Sequence, residues 1–435
     1  MRSKNRASLK VIYQFLAGLL IGCITAAILL LGTRVAAQAS RPQHYTVVQL
    51  GSLGGTSFQG GDITINNRGW VDGASNLAGD QNHHAFLWIN GQMTDLGTLG
   101  GPNSSVGQLN DRGDVTVGGA DTGIPDPFGE DWCGFGTNQI CLSFIWNNGV
   151  RTLIPTLGGN NGEVADIDSS GQLILGFAET TFHDPTCIPP QILGFEAFLW
   201  NRLTNNIQVL PPLAGDSSTA AFDMNDNGDV AGTSGICTTG IAPSSALHAV
   251  IWRNGVPIDL GDLGGNASNV AFNVNNRGQV VGISTLADNT TVHAFIWQNG
   301  IMTDLGTLPG DTFSFNGSIN DKGQVTIQSC DINFNCRAAI WEDGVMTDLN
   351  SLIPPGSPLF LVLANWVNSR GQIVGAALDQ TGNLVPFLAT PVDDANANVA
   401  ASEQTTSSPR MLPENVRKTL WRTAFRRFRS VSTSK

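Results

Sequence analysis

Apolar and polar residues alternate along this chain in short runs, and the runs recur in groups of four. The fullest group reads AFNVNNRGQVVGIS over Ala271–Ser284, HAFIW over His293–Trp297 and NGIMTDLGTLPG over Asn299–Gly310. Period-two alternation bounded by Asn, Asp and Gly predicts β-strands joined by tight turns. Four strands in about 45 residues is the period of a β-propeller blade.

Three phrases repeat in fixed order. Ile-Asn-x-x-Gly stands at Ile65–Gly69, Leu109–Gly113, Ile167–Gly171, Met224–Gly228, Val274–Gly278, Ile319–Gly323 and Val367–Gly371. The aromatic phrase follows at His84–Trp88, Ser143–Trp146, Glu196–Trp200, His248–Trp252, His293–Trp297 and Arg337–Trp341, and decays to PFLAT at Pro386–Thr390. The Asp-Leu-Gly phrase comes third in each unit. The seventh unit stops before it, whereas His44–Gly55 carries it with no unit in front. This arrangement predicts an all-β, seven-bladed propeller whose N-terminal strand completes the last blade, leaving no free sheet edge. The closing strand is then the outermost, strand D. Strand A, nearest the axis, ends in Ile-Asn, B is the Val-Val-Gly run, and C is the aromatic run. Asn90–Gly91, Asn148–Gly149, Asn254–Gly255 and Asn299–Gly300 mark C–D hairpins.

The HAF-LW, LGxLGG and INxxGxVVG phrases together resemble the probable extracellular HAF repeat family, over His44 to Thr390. The resemblance implies an exported bacterial β-propeller-like protein and transfers no catalytic residue. That family often carries a C-terminal sorting tag with a hydrophobic span; no such span ends this sequence.

Outside the repeats the composition changes. Arg2, Lys4, Arg6 and Lys10 precede an apolar run from Val11 to Leu31, and Ala37-Gln38-Ala39 offers a small-x-small cleavage site. Residues 1–39 are therefore expected to be a signal peptide, with an uncleaved N-terminal membrane anchor as the alternative. Either places residues 40–391, the propeller, at or beyond the cell surface. Leu20–Cys23 mimics a lipoprotein site, but the residues after Cys23 stay apolar. Residues 392–409 read as a flexible linker and 410–435 as a basic tail.

Charge follows the same division. Residues 1–39 hold five Lys/Arg and no acid, residues 40–400 hold ten against 33 acids, and residues 401–435 hold eight against two. An acidic body argues against nucleic-acid binding. In the tail, Val416, Leu420, Trp421, Ala424 and Phe428 recur at helical spacing among six basic residues. Such a helix suits an anionic membrane surface, with docking on the acidic propeller or a solvated tail as alternatives.

Six cysteines follow the leader: Cys133, Cys141, Cys187, Cys237, Cys330 and Cys336. All lie between strands B and C of their blades, and an even count in an exported chain predicts disulfides. The expected pairs are Cys133–Cys141 and Cys330–Cys336 within loops and Cys187–Cys237 between adjacent blades.

The B–C loops of blades two, three and four are long: Gly119–Leu142, Ala178–Gly194 and Thr233–Ala246. They carry Phe128, Glu130, Asp131, Trp132, Phe135, Phe182, His183 and Asp184, with Asp126 beside them. Aromatics next to carboxylates suit recognition of a carbohydrate or a protein. The competing reading is that they pin the insertions to the propeller. His84, His248 and His293 recur with strand C and are expected to be structural. Asp166-x-Asp168-x-Ser170-Gly171 and Asp223-x-Asn225-x-Asn227-Gly228 echo a calcium loop but lack its Glu and fall at A–B turns. No GxSxG, HExxH, P-loop or CxxC pattern occurs, so no catalytic residue, metal site or cofactor is expected. The leading expectation is a non-enzymatic binding module using this loop face. A polysaccharide hydrolase or lyase built on loop carboxylates, and a purely structural surface protein, are the alternatives.

Overall fold

The computed structural model describes residues 43–56, 58, 63–237, 248–392 and 410–426, with side chains of the last segment described to Arg422. The leader with its cleavage site, almost all of the 392–409 linker, part of the blade-four loop, and Phe428 lie outside the described residues. No helix among the described residues is long and apolar enough to cross a membrane.

Seven four-stranded antiparallel sheets follow one another along the chain. Blade five sets the pattern, with A at Gly264–Val274, B at Val280–Leu286, C at Val292–Gln298 and D at Ile301–Asp304. In blade seven the fourth strand is Tyr45–Gln49, paired along its length with Leu384–Pro391. Tyr45 is buried there, and burial pushes its hydroxyl pKa well above the usual phenol range.

The period-two pattern is explained by the sheets being packed face to face. Phe295 and Trp297 of strand C enter a cluster with Ala231, Ile251 and Leu260 of blade four. Ala294 and Ile296, one residue out of phase, enter a cluster with Val325 and Ile327 of blade six. Each strand C is thus covered on both faces. The Val-Val-Gly phrase has a packing cause as well. A methyl group on Gly282 would run into the Val270 carbonyl and the Phe295 ring, so strand B needs glycine where strands A and C close over it.

The Ile-Asn-x-x-Gly phrase performs two tasks with one side chain. In blade five, Asn275 Oδ1 accepts from the backbone N–H groups of Arg277 and Gln279, which shapes the A–B turn. Its Nδ2 donates to the carbonyl of Asn320, the equivalent residue of blade six. Asn66, Asn110, Asn225, Asn320 and Asn368 do the same toward the next blade, at 2.9 to 3.2 Å, and Asn368 returns to the carbonyl of Asn66. The ring of amides therefore runs around the axis through the junction of blades seven and one. Its gap is at blade three. Asp168 stands there, and its carboxylate has no N–H to donate to blade four; it accepts from Ser170, Gln172 and Leu173 instead. The calcium-like phrases are A–B turns, as their position predicts.

The repeated histidines are structural. His84 Nδ1 meets Asp95 at 2.9 Å and His293 meets Asp304 at 2.9 Å across strands C and D, with His248 and Asp259 at 3.3 Å. In blade six Arg337 replaces the histidine and reaches Asp311 and Asp348.

Helix α1 (Glu414–Arg426) docks on the propeller. Leu412, Val416 and Leu420 are buried in the same apolar cluster as Phe58, Phe334 and Leu384. Leu412 N–H donates to Asn335 Oδ1, and Arg417 donates to the Asn333 carbonyl. Of the apolar stripe expected to face a membrane, Val416 and Leu420 are therefore covered by the propeller, Trp421 stays outward, and the side chains of Ala424 and Phe428 lie outside the described residues. The physical reason is that blades six and seven carry short B–C loops, which leave apolar surface that this stripe fits.

The ring of amides generates a paired prediction. Asn275→Asp should destabilise the fold by about 1–3 kcal/mol, because it removes a buried donor, takes from the Asn320 carbonyl one of its two hydrogen bonds and sets a carboxylate against it. Asp168→Asn should stabilise it by roughly 0.5–1.5 kcal/mol by supplying the missing donor. Chemical denaturation of both variants checks the signs.

Candidate functional site

The B–C loops share a face with the D–A crossovers, and on blades two and three they are built from side chains that turn inward. In blade two, Asp126 Oδ1 accepts from the N–H groups of Phe128 and Glu130, and Asp131 accepts from Gly136. The Cys133–Cys141 disulfide closes this loop. Trp132, 1 % exposed, packs on Phe177 and Phe195 of blade three at ring distances of 6.1 and 5.8 Å. Half-buried Phe135 meets His83 of blade one edge-on at 5.0 Å.

Glu130 crosses to blade three and forms a buried polar cluster. Asn161 Nδ2 lies 3.0 Å from Asp126, 3.3 Å from Glu130 and 3.2 Å from Glu179. Glu179 also accepts from the N–H groups of Asn160 and Asn161 and from Gln191. Ile192 N–H donates to Glu130. The Glu130 and Glu179 carboxyls hydrogen-bond each other. Burial, that hydrogen bond and the neighbouring charges of Glu179 and Asp126 push the Glu130 pKa up to about 9, and burial raises that of Glu179. The pair holds a proton at neutral pH.

In blade three, Asp184 accepts from Thr186 and Ser217. Burial opposes its ionisation, but those hydroxyl and backbone donors outweigh it and hold its pKa below the usual carboxylate range. The Cys187–Cys237 disulfide joins this loop to blade four, and Cys237 N–H donates to Thr186. Asp184 lies near both sulfurs, within the reach of a metal-ligand set, but they are spent in the disulfide and offer no thiolate. Cys330–Cys336 closes the blade-six loop.

Of the eight expected binding residues, Phe128, Phe182 and His183 stand at the surface. Phe128 and His183 touch edge-on at 6.4 Å, across the two loops. Ile124 and Ile188 are exposed beside them in sequence. Asp131 and Phe135 are half-buried. Glu130, Trp132 and Asp184 are not displayed, contrary to expectation, because loops without a core of their own must turn their large and hydrogen-bonding groups into the propeller. Glu179, Asn161 and Gln191 escaped the sequence reading. A signal existed for two of them. Asn103 and Asp121 of blade two repeat the Asn161–Glu179 contact at the same place in the unit, at 3.2 Å.

No family model matches the chain, and no curated protein matches it in sequence. Solved structures do. An oligogalacturonate lyase from Vibrio parahaemolyticus is similar at TM-score 0.48 and 10% identity, with 80% of this chain and 94% of that one covered. The β-propeller domain of the Trilobed protease from Pyrococcus furiosus gives 0.46 and 10%, covering 84% and 100%. An acylaminoacyl peptidase from Pyrococcus horikoshii gives 0.45 and 9%, and there the chain spans about half of the other protein, 53%, with 82% of its own length.

The carboxyl pair sets a pH dependence. Between about 4.5 and about 9 the unfolded chain releases the Glu130 proton while the folded chain keeps it. Stability therefore falls as pH rises through that window. Glu130→Gln should flatten the dependence and gain most over the parent at the alkaline end. Melting temperatures of both chains from pH 5 to pH 9 decide it.

Proposed function

We propose that this chain is an exported, non-enzymatic propeller that binds a protein partner through the B–C loops of blades two and three. Three disulfides fit an oxidising compartment, and the leader and the resemblance to exported HAF-repeat proteins agree with it. The observation that carries the reading is the division of labour in the loops. Their carboxylates are consumed by backbone and amide donors, while Ile124, Phe128, Phe182 and Ile188 face solvent. Apolar groups held out on cross-linked loops favour an interface. Aliphatic side chains beside the aromatics fit a protein surface better than a sugar, which stacks on flat rings. The same loops, Gly119–Leu142 and Ala178–Gly194, contain no Lys or Arg, so an anionic surface is repelled there.

Truncating two anchoring aromatics at a protein interface costs about 1–4 kcal/mol each. Immobilised surface proteins from the producing cells should retain the parent chain, and Phe128→Ala with Phe182→Ala should weaken retention by roughly tenfold or more. The melting temperature should stay unchanged. Retention equal to that of the parent, or tight binding to a glycan array that the double variant keeps, would refute the reading.

A further inference from the structure

Helix α1 leaves one side outward, and that side has its own chemistry. Met411 is 83 % exposed, Trp421 42 % and Ile332, at the tip of the blade-six loop, 67 %. The three belong to one neighbourhood. Arg417 donates to the carbonyl of Asn333, next to Ile332, and the residue after Met411 donates to Asn335 of the same loop. Around them stand Arg410, Arg417, Lys418 and Arg422, against Glu414 alone in the stretch from Arg410 to Arg422. Arg410 rests on the Phe360 ring, which holds it on this side. Lys418 is paired with Glu414 at the helix surface. The nearby acids are turned into their own loops: Asp331 accepts from Asn333 and Asn335, and Asp379 from Thr381 and Asn383. On a body where acids outnumber bases by 33 to ten, this is a basic patch with three projecting apolar side chains.

We infer that the outer side of α1 and the blade-six loop tip adsorb the propeller to an anionic lipid bilayer, with the basic side chains at the headgroups and Met411, Trp421 and Ile332 entering the interface. Charge complementarity selects an anionic surface and repels a second copy docking patch to patch, and the three projecting apolar groups select a lipid interface over the polar, acidic body of a second copy. Anionic lipids attract basic residues near the surface, within a Debye length of about 8 Å at physiological salt. The apolar groups add a part that salt does not screen. The helix contributes through the side opposite its buried stripe, so adsorption does not require it to leave the propeller. The inference is independent of the partner proposed for blades two and three.

The test uses the full chain on a Cys23→Ser background, with the environment-sensitive dye NBD attached at Met411→Cys. A control carries the dye at Leu203→Cys, an exposed position on the C–D turn of blade three, on the opposite face. A site-specific label reads contact at the patch whatever the N-terminal segment does. On vesicles of phosphatidylglycerol and phosphatidylcholine the label at 411 should brighten about twofold or more and shift to the blue, and the label at 203 should not. The response should shrink with salt, as screening requires. It should vanish with Lys418→Glu plus Arg422→Glu, whose melting temperature is measured alongside. A label at 411 that responds no more than the one at 203, that responds equally on pure phosphatidylcholine, or that ignores the charge reversal overturns the inference.

Discussion

The structure depends on a side-chain amide that donates out of its own blade. A backbone ladder holds each sheet together but cannot join one sheet to the next, because the sheets meet face to face. Sheet-to-sheet apolar contact is strong yet tolerant of sliding. The Asn Nδ2 groups of the Ile-Asn-x-x-Gly turns supply direction: each fixes the next blade at a defined height about the axis. At a net 0.5–1.5 kcal/mol per bond, six of them amount to several kcal/mol. That is comparable with the whole stability of an ordinary domain, about 5–15 kcal/mol. The Oδ1 of the same side chain shapes the turn, so the motif cannot drift without losing both functions.

The fold was legible because its devices repeat. The seven phrases, their order and the split first and last units carried the architecture, and cysteine positions carried the three pairings. A further regularity lay in the sequence unread. Strand C and strand D positions change together from blade to blade: a basic residue at His84, His248, His293 or Arg337 faces Asp95, Asp259, Asp304 or Asp348. Where Glu196 stands in blade three, strand D offers Val209. The loop site was less legible because its parts occur once. Nothing in the pattern around Trp132 or Glu130 says whether an aromatic or an acid in a long insertion faces solvent or blade three. That is decided by the absence of a core inside the loop, and the deciding partners, Glu179 and Asn161, lie a blade away.

One face of the ring is polarised. The blade-two and blade-three loops present aromatic and aliphatic groups without Lys or Arg, whereas the α1 sector presents apolar groups within a basic field. Insertions and an added helix made this division; the repeats themselves are nearly alike around the ring. A symmetric scaffold thus carries two surfaces of opposite electrostatic character, each anchored by bonds of its own.

Asp168 opens the ring of amides between blades three and four, and Cys187–Cys237 spans the same two blades on the other face. Tension in a closed hoop passes through every joint in series, and the hoop yields at its weakest joint. With the disulfide formed, that seam holds a covalent link and yielding passes to the others. With the thiols reduced, it keeps hydrogen bonds such as Ser169 to Asp226 and Met224 N–H to Asp166 but has neither the amide nor the covalent link. The redox state of the medium therefore sets how firmly this one seam of the hoop is held.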